Sequence, residues 1–209
     1  YGYELSVDER VLIPRPETEG LTRLALSSAE PGDKVLDLCT GSGAIAIALK
    51  KESDKKNMKL QVTACDVSAD ALEVAKNNAA KCKAEVKFVQ SDLFSRLRGR
   101  FNLIVSNPPY IPTDVIPTLE REVKDHEPHL ALDGGKDGLD FYRRIANEAG
   151  KYMEKGEDAL ELRIRYATAL ADVGQIDEAQ AVVKLFKYCD YSMILKDDFG
   201  VDRYVKIVF

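Results

Sequence analysis

The sequence predicts an α/β protein with a doubly wound, mostly parallel sheet and helices on both faces, and three observations carry that expectation. Short, near-continuous apolar runs of strand length alternate with amphipathic stretches of helix length, as strands buried on both faces require. Glycines and acids gather where those runs end. The chain has 209 residues, 45% hydrophobic and 31% charged, enough to bury one core in one domain. Alternation of this kind implies right-handed crossovers, and ligands of such sheets bind beyond the carboxyl ends of the strands.

Taken in order, "YGYELSVDERVLIP" reads as a hairpin, and Arg15 with Glu17 and Glu19 as a charged helix start, the acids favoured by the N-terminal dipole. "KVLDLC" (34–39) is the first strand, and "GAIAIALKK" the helix after it. "KKESDKKNMK" (50–59) reads as a solvated loop behind that helix. "QVTACD" (61–66) is the second strand; in "SADALEVAKNNAAK" Ser68 suits the N-cap, and Ala71, Leu72, Ala75 and Ala79 form a buried stripe. "EVKFVQ" (85–90) and "FNLIVSN" (101–107) are the third and fourth strands. "HEPHLALDGGKDG" has the composition of a lid or docking surface, and the helix after it carries Tyr142, Arg143 and Arg144, with Phe141 and Ile145 toward the core. "ALELRI" (159–164) is expected as the fifth strand and "AQAVVKLFKYC" as a helix. Between them "RYATALADVGQIDEAQAVV" (165–183) looks like part of a tetratricopeptide repeat; a single repeat cannot bury its own face, so an extended helical insertion on the sheet is expected.

The composition excludes several classes. No apolar run approaches the roughly 18 residues of a membrane span and no targeting signal is evident, so the expected location is the cytoplasm, away from any membrane. Cys39, Cys65, Cys82 and Cys189 lack a CxxC spacing and read as free thiols. His126 and His129 form an H-x-x-H that lacks further ligands and is broken by Pro128, so no metal site is expected. A net charge of −5 argues against a nucleic-acid partner.

The residues with chemical potential sit at strand ends: "DLCTGSGAIA" (37–46), then Asp66, Asp92 and Asn107. Gly41 and Gly43 permit a tight turn and close approach of a ligand to the backbone. Gly41, Gly43 and Ala46 also satisfy G-x-G-x-x-G/A, with Asp66 at the distance of a ribose-binding acid, so a dinucleotide-dependent oxidoreductase stays open. Asp37, just before the glycines, instead suits a ligand with an ammonium group and no phosphate, such as S-adenosylmethionine. Asp66 and Asp92 also suit helix caps or turns, and "SNPPYIP" (106–112) also suits a strand-ending turn, although its two prolines stiffen it and remove two backbone donors.

"IPRPETE" (13–19), "LDLCTGSGAIAIAL", "SNPPYIP" and "EPHLALDGGKDGLDFYRRI", in that order, resemble the catalytic domain of the HemK-type release-factor glutamine methyltransferases. The resemblance runs from about Tyr1 to Tyr152 and resumes near "GVDRYVKIVF". It implies a Rossmann-like class I methyltransferase fold: a mostly parallel seven-stranded sheet with an antiparallel last strand, "SMILKD" and "YVKIVF" forming the closing antiparallel pair. Residues 31–209 would be the methyltransferase domain and 1–30 the hairpin and first helix leading into it; the family's helical N-terminal docking domain is not expected in this sequence. The implied cofactor is S-adenosyl-L-methionine, and the implied protein substrate a class I peptide chain release factor. A ribosomal-protein glutamine, or a DNA or RNA amino group, is the alternative substrate, because NPPY is shared with methyltransferases acting on those.

Carried over by position, the cofactor loop would be Asp37, Cys39, Thr40, Gly41, Ser42 and Gly43, with Asp66 on the ribose and Asp92 and Leu93 beside the adenine. Cys39 replaces a glycine that many methyltransferases have there, which is tolerable if its backbone dihedrals stay ordinary. Asn107, Pro108, Pro109 and Tyr110 would hold the substrate amide, Asn107 touching both cofactor and substrate. An amide nitrogen is a poor nucleophile, so acceptors at Asn107 and the Pro108 carbonyl would orient it, with Tyr110 stacking on the amide plane.

Overall fold

The computed structural model of the chain describes residues 1–154, 168–172, 176–186, 191–196, 200 and 202–208. Its strands are β1 (Lys34–Leu38), β2 (Gln61–Asp66), β3 (Lys87–Gln90), β4 (Leu103–Ser106), β5 (Thr168–Asp172), β6 (Tyr191–Lys196) and β7 (Asp202–Val208). They lie in one sheet in the order β3-β2-β1-β4-β5-β7-β6. β3, β2, β1, β4 and β5 pair in parallel, and β7 runs antiparallel to both β5 and β6.

Period-2 alternation divides the core between the two faces of the sheet. Val35, Leu103 and Val105 join a cluster with Leu21 and Ala25 of α1 (Pro16–Ser28) and Ile45 and Leu49 of α2 (Ala44–Lys55). Their neighbours Leu36, Leu38 and Ile104 face a second cluster with Phe94, Tyr142, Ile145 and Val182. Tyr142 and Ile145 come from α6 (Asp140–Glu148), Val182 from α7 (Ile176–Leu185). α3 (Ala69–Cys82) is capped as its sequence predicts: the Ser68 hydroxyl accepts from the Ala71 N–H at 3.1 Å, and Ala71, Leu72, Ala75 and Ala79 are buried. Two one-turn helices, α4 (Arg121–Lys124) and α5 (His129–Leu132), lie between β4 and α6. Among the described residues no helix is long and apolar enough to cross a membrane.

Four expectations need correction. Residues 1–15 form no hairpin: they hold no strand, Arg10 folds back on Asp8 beside a turn closed by Val11 N–H to the Asp8 carbonyl, and Tyr3 and Ser6 reach helices. Asn78 of α3 exchanges two hydrogen bonds with the Ser6 backbone, and the Tyr3 hydroxyl bonds Glu52 of α2 at 2.6 Å. Second, α2 runs on to Lys55, so the first half of 50–59 is helix, stitched by Lys50–Asp54 and Lys55–Glu52 pairs one turn apart. Third, the segment read as a helical insertion, 165–183, contains β5, whose backbone fills the gap between β4 and β7. Among its described residues only the later part is helical, in α7, while "ALELRI" lies outside the described residues. Fourth, the aromatic buried in the core beside Ile145 is Tyr142, while Phe141, expected to face the core, is only half-buried against it.

Candidate active site

The carboxyl ends of β1, β2, β3 and β4 converge on one cavity of about 140 Å³. The loop from β1 into α2 forms its floor. Gly43 is the N-cap of α2 at φ +83°, and a Cβ there would press at 3.2 Å on both Ala75 and Ile47, so glycine serves the turn and the α2–α3 contact together. Gly41 also has positive φ, +52°. Cys39 stands at φ +59°, in the left-handed region, so its dihedrals are not the ordinary ones expected for a substitute of glycine.

Asp37 organises this loop from beneath. Fully buried, it accepts from the Thr40 hydroxyl at 2.6 Å and from the Ala46 N–H at 3.2 Å through one oxygen, while the other, Oδ1, has no hydrogen-bond partner among the described residues. Burial pushes its carboxyl up to about 7, against the lowering effect of those two bonds, and the negative charge of Asp66 adds to the rise. Asp66, at the end of β2, accepts from the Gly41 N–H at 2.9 Å and the Ser68 N–H at 3.0 Å; burial raises its pKa as well. Two carboxylates thus answer the donors a phosphate would otherwise use: one caps the first turn of α2, the other takes the loop's glycine N–H.

Cys39, Thr40, Gly41, Ser42, Asp66, Asp92, Leu93, Asn107 and Pro109 all line the cavity. Asp37, Gly43, Pro108 and Tyr110 lie outside that lining, the first two beneath the loop. Leu93 takes φ +47°, and its carbonyl accepts from the Ser91 hydroxyl at 2.6 Å. Asp92 is exposed and pairs with Arg144 at 2.7 Å. The side-chain amide of Asn107 has no hydrogen-bond partner among the described residues, although the preceding Ser106 is tied down by its hydroxyl to the Leu38 carbonyl at 3.0 Å. Asn107 therefore presents an open amide from a rigid base.

Behind the motif, residues 129–138 form a strap on the backbone of Tyr110–Thr113. Ile111 N–H donates to Leu132, Gly134 N–H to Ile111, Thr113 N–H to Gly135, and the Thr113 hydroxyl to Asp133. A Cβ on Gly138 would stand 2.3 Å from the Tyr110 carbonyl oxygen, and one on Gly134 2.6 Å from the Tyr110 Cα. The Tyr110 ring packs against the core cluster of α6, so the strap holds it away from the cavity. A second tie joins "IPRPETE" to "EPHLAL": Arg15 Nη2 donates to both oxygens of Glu127 at 2.8 Å, with Glu127 only 3% exposed. Leu12, Pro14 and Thr18 line the cavity on one side of this tie, and Pro128, Leu130 and Ala131 on the other.

Phe141 is a cavity-lining residue that the sequence hid. It lines the cavity near Asp92 and Leu93, with the Arg144 guanidinium 5.8 Å from its ring centroid. Among the described residues no group of three His, Cys, Asp or Glu side chains could hold a metal ion.

A family described as "Methyltransferase small domain" matches residues 21–135. A release factor glutamine methyltransferase of Streptococcus pneumoniae is 41% identical over 211 residues, covering 99% of this chain and 70% of that protein. The same-named protein of Agrobacterium fabrum is 43% identical, covering 97% of this chain and 68% of its own length. A methyltransferase of Pyrococcus furiosus, solved as a crystal structure, superposes with a TM-score of 0.69 at 18% identity, covering 100% of this chain and 89% of that one. The sheet has the Rossmann-like methyltransferase fold, and a polar motif on β4 faces an acid-capped glycine loop. With identity of this degree over nearly the whole chain, the protein is a methyltransferase and belongs to the release factor glutamine methyltransferase family.

Proposed function

We propose that the chain transfers a methyl group from S-adenosyl-L-methionine to the side-chain amide nitrogen, N5, of the glutamine in the GGQ loop of a class I peptide chain release factor, in the cytoplasm. The reading takes residues 31–209 as the catalytic domain, approached through 1–30, with the seven-stranded class I sheet and its reversed last strand. Its main support is the open Asn107 amide, set at the end of β4 in the same cavity as Asp66.

The residues present fit that cofactor better than a dinucleotide. Asp37 and Asp66 already accept from the Ala46 and Gly41 N–H groups, which takes from a pyrophosphate the donors it would need at the helix N-terminus. Asp66, Leu93 and Phe141 share the cavity lining, which supports the reading of Asp66 as acceptor for the ribose hydroxyls and of the two apolar side chains as walls for the base. The cofactor supplies an electrophilic methyl group on a sulfonium. The protein has to orient the nucleophile: the Asn107 side-chain oxygen and the Pro108 carbonyl accept the two amide hydrogens, turning the nitrogen's face toward that methyl. The prolines keep those acceptors fixed. Tyr110 anchors the motif against the core. Orientation of this kind supplies about 7–11 kcal/mol in favourable cases, so the proton can leave after transfer, when the nitrogen is acidic.

Single-turnover rates and cofactor titrations on two variants separate these roles. Asn107→Ala should lose about 2.7–4 kcal/mol of transition-state stabilisation, a 10²–10³-fold fall in rate that exceeds any loss of cofactor affinity. Asp66→Ala should chiefly weaken cofactor binding. Near-normal turnover of the Asn107 variant would overturn the assignment.

A further inference from the structure

At the opposite end of the sheet, the amino ends of β1, β2 and β3 and the 96–100 loop enclose a groove of about 590 Å³ whose only acid among the described residues is Glu85. Seven lysines and arginines line it, on a chain whose net charge is −5. Three of them are occupied: Lys34 with Glu154, Lys50 with Asp54, and Arg100 with the Met153 carbonyl. Lys59, Lys87, Arg96 and Arg98 are exposed and make no side-chain hydrogen bond or ion pair among the described residues. We propose that this groove binds the phosphodiester backbone of a nucleic-acid strand without reading its sequence.

Three features favour that ligand. Four unpaired cations in one groove call for a polyanion rather than a single phosphate, and guanidinium forks such as those of Arg96 and Arg98 match phosphate oxygens. Of the apolar groove residues, Leu60, Val62, Leu97 and Phe101 are buried and Val89 is half-buried, and none of the exposed large hydrophobic residues lies there. A peptide partner would lack the apolar anchors that usually dominate protein interfaces, whereas a backbone held by charge needs none. Protection of an exposed sheet edge accounts for Lys87 on β3, the edge strand, but not for Arg96 and Arg98, which lie off the sheet. Since Asn107 sits at the other end of the strands, such binding would retain nucleic acid rather than present a base for methylation.

The test is fluorescence anisotropy of a labelled oligouridylate of about 12 nucleotides, titrated with the chain over a range of salt. Four phosphate contacts predict a slope of log affinity against log salt near −3, on the basis of about −0.7 per contact for a single strand. In an Arg96→Ala/Arg98→Ala variant the slope should shrink to about half while S-adenosylmethionine titration stays unchanged, which also shows that the variant folds. No binding at low salt, or a slope that the variant leaves untouched, overturns the proposal. So does displacement of the oligonucleotide by polyglutamate at matched charge, which would make an acidic polypeptide the better ligand.

Discussion

Cys39 carries a backbone cost at the centre of the site. A side chain in the left-handed region costs about 1–2 kcal/mol, against roughly 0.5–1 kcal/mol of extra unfolded-state entropy for glycine. Cys39→Gly should therefore raise stability by about 0.5–1 kcal/mol in denaturant melts, and a loss would mean that the thiol's packing outweighs its strain. Asp37 bears on pH. Burial raises its folded pKa from 3.8 to about 7, so the folded chain keeps a proton that the unfolded chain releases. Its contribution is complete below about 4 and is lost as pH rises through about 7. The wild type should lose stability over that window relative to Asp37→Asn, and parallel melting curves would contradict the assignment. Asp8 and Asp137, held near 2 by Arg10 and Arg143, titrate at lower pH with the opposite sign and cancel in the comparison.

At the scale of elements, the strap places the NPPY motif as much as β4 does. Gly138 has φ +76° and lies against the Tyr110 carbonyl, so Gly138→Ala should push the strap from the motif. Turnover should fall with cofactor affinity nearly kept, and unchanged kinetics would show that the motif is rigid without the strap. The composition of 126–138 marked it as a lid or docking surface, but not that its glycines are set by contact with Tyr110. The tie between Arg15 and Glu127 spans 112 positions and has no local signal, although both motifs stood out as sequence. Phe141 and Tyr142 show a related limit. Adjacent helical positions point about 100° apart, and an apolar pattern alone does not say which aromatic meets the sheet and which the cavity.

Over the whole molecule, β1 to β4 were legible because strands buried on both faces leave long apolar runs, and α3 because its cap and stripe are local. The N-terminal segment misled because its partners are side chains of α2 and α3, distant in sequence. β5 misled because "TALAD" suits a helix as well as a strand, and pairing with β4 and β7 decides between them. The basic groove was invisible to net charge because its cations come from separate stretches of chain. The measurement that tests the central claim most directly is mass spectrometry of a class I release factor after incubation, at high substrate concentration, with the chain and S-adenosylmethionine. One added methyl group on the GGQ glutamine, absent with Asn107→Ala, is the predicted result. An unmodified glutamine under conditions where the cofactor binds would contradict it.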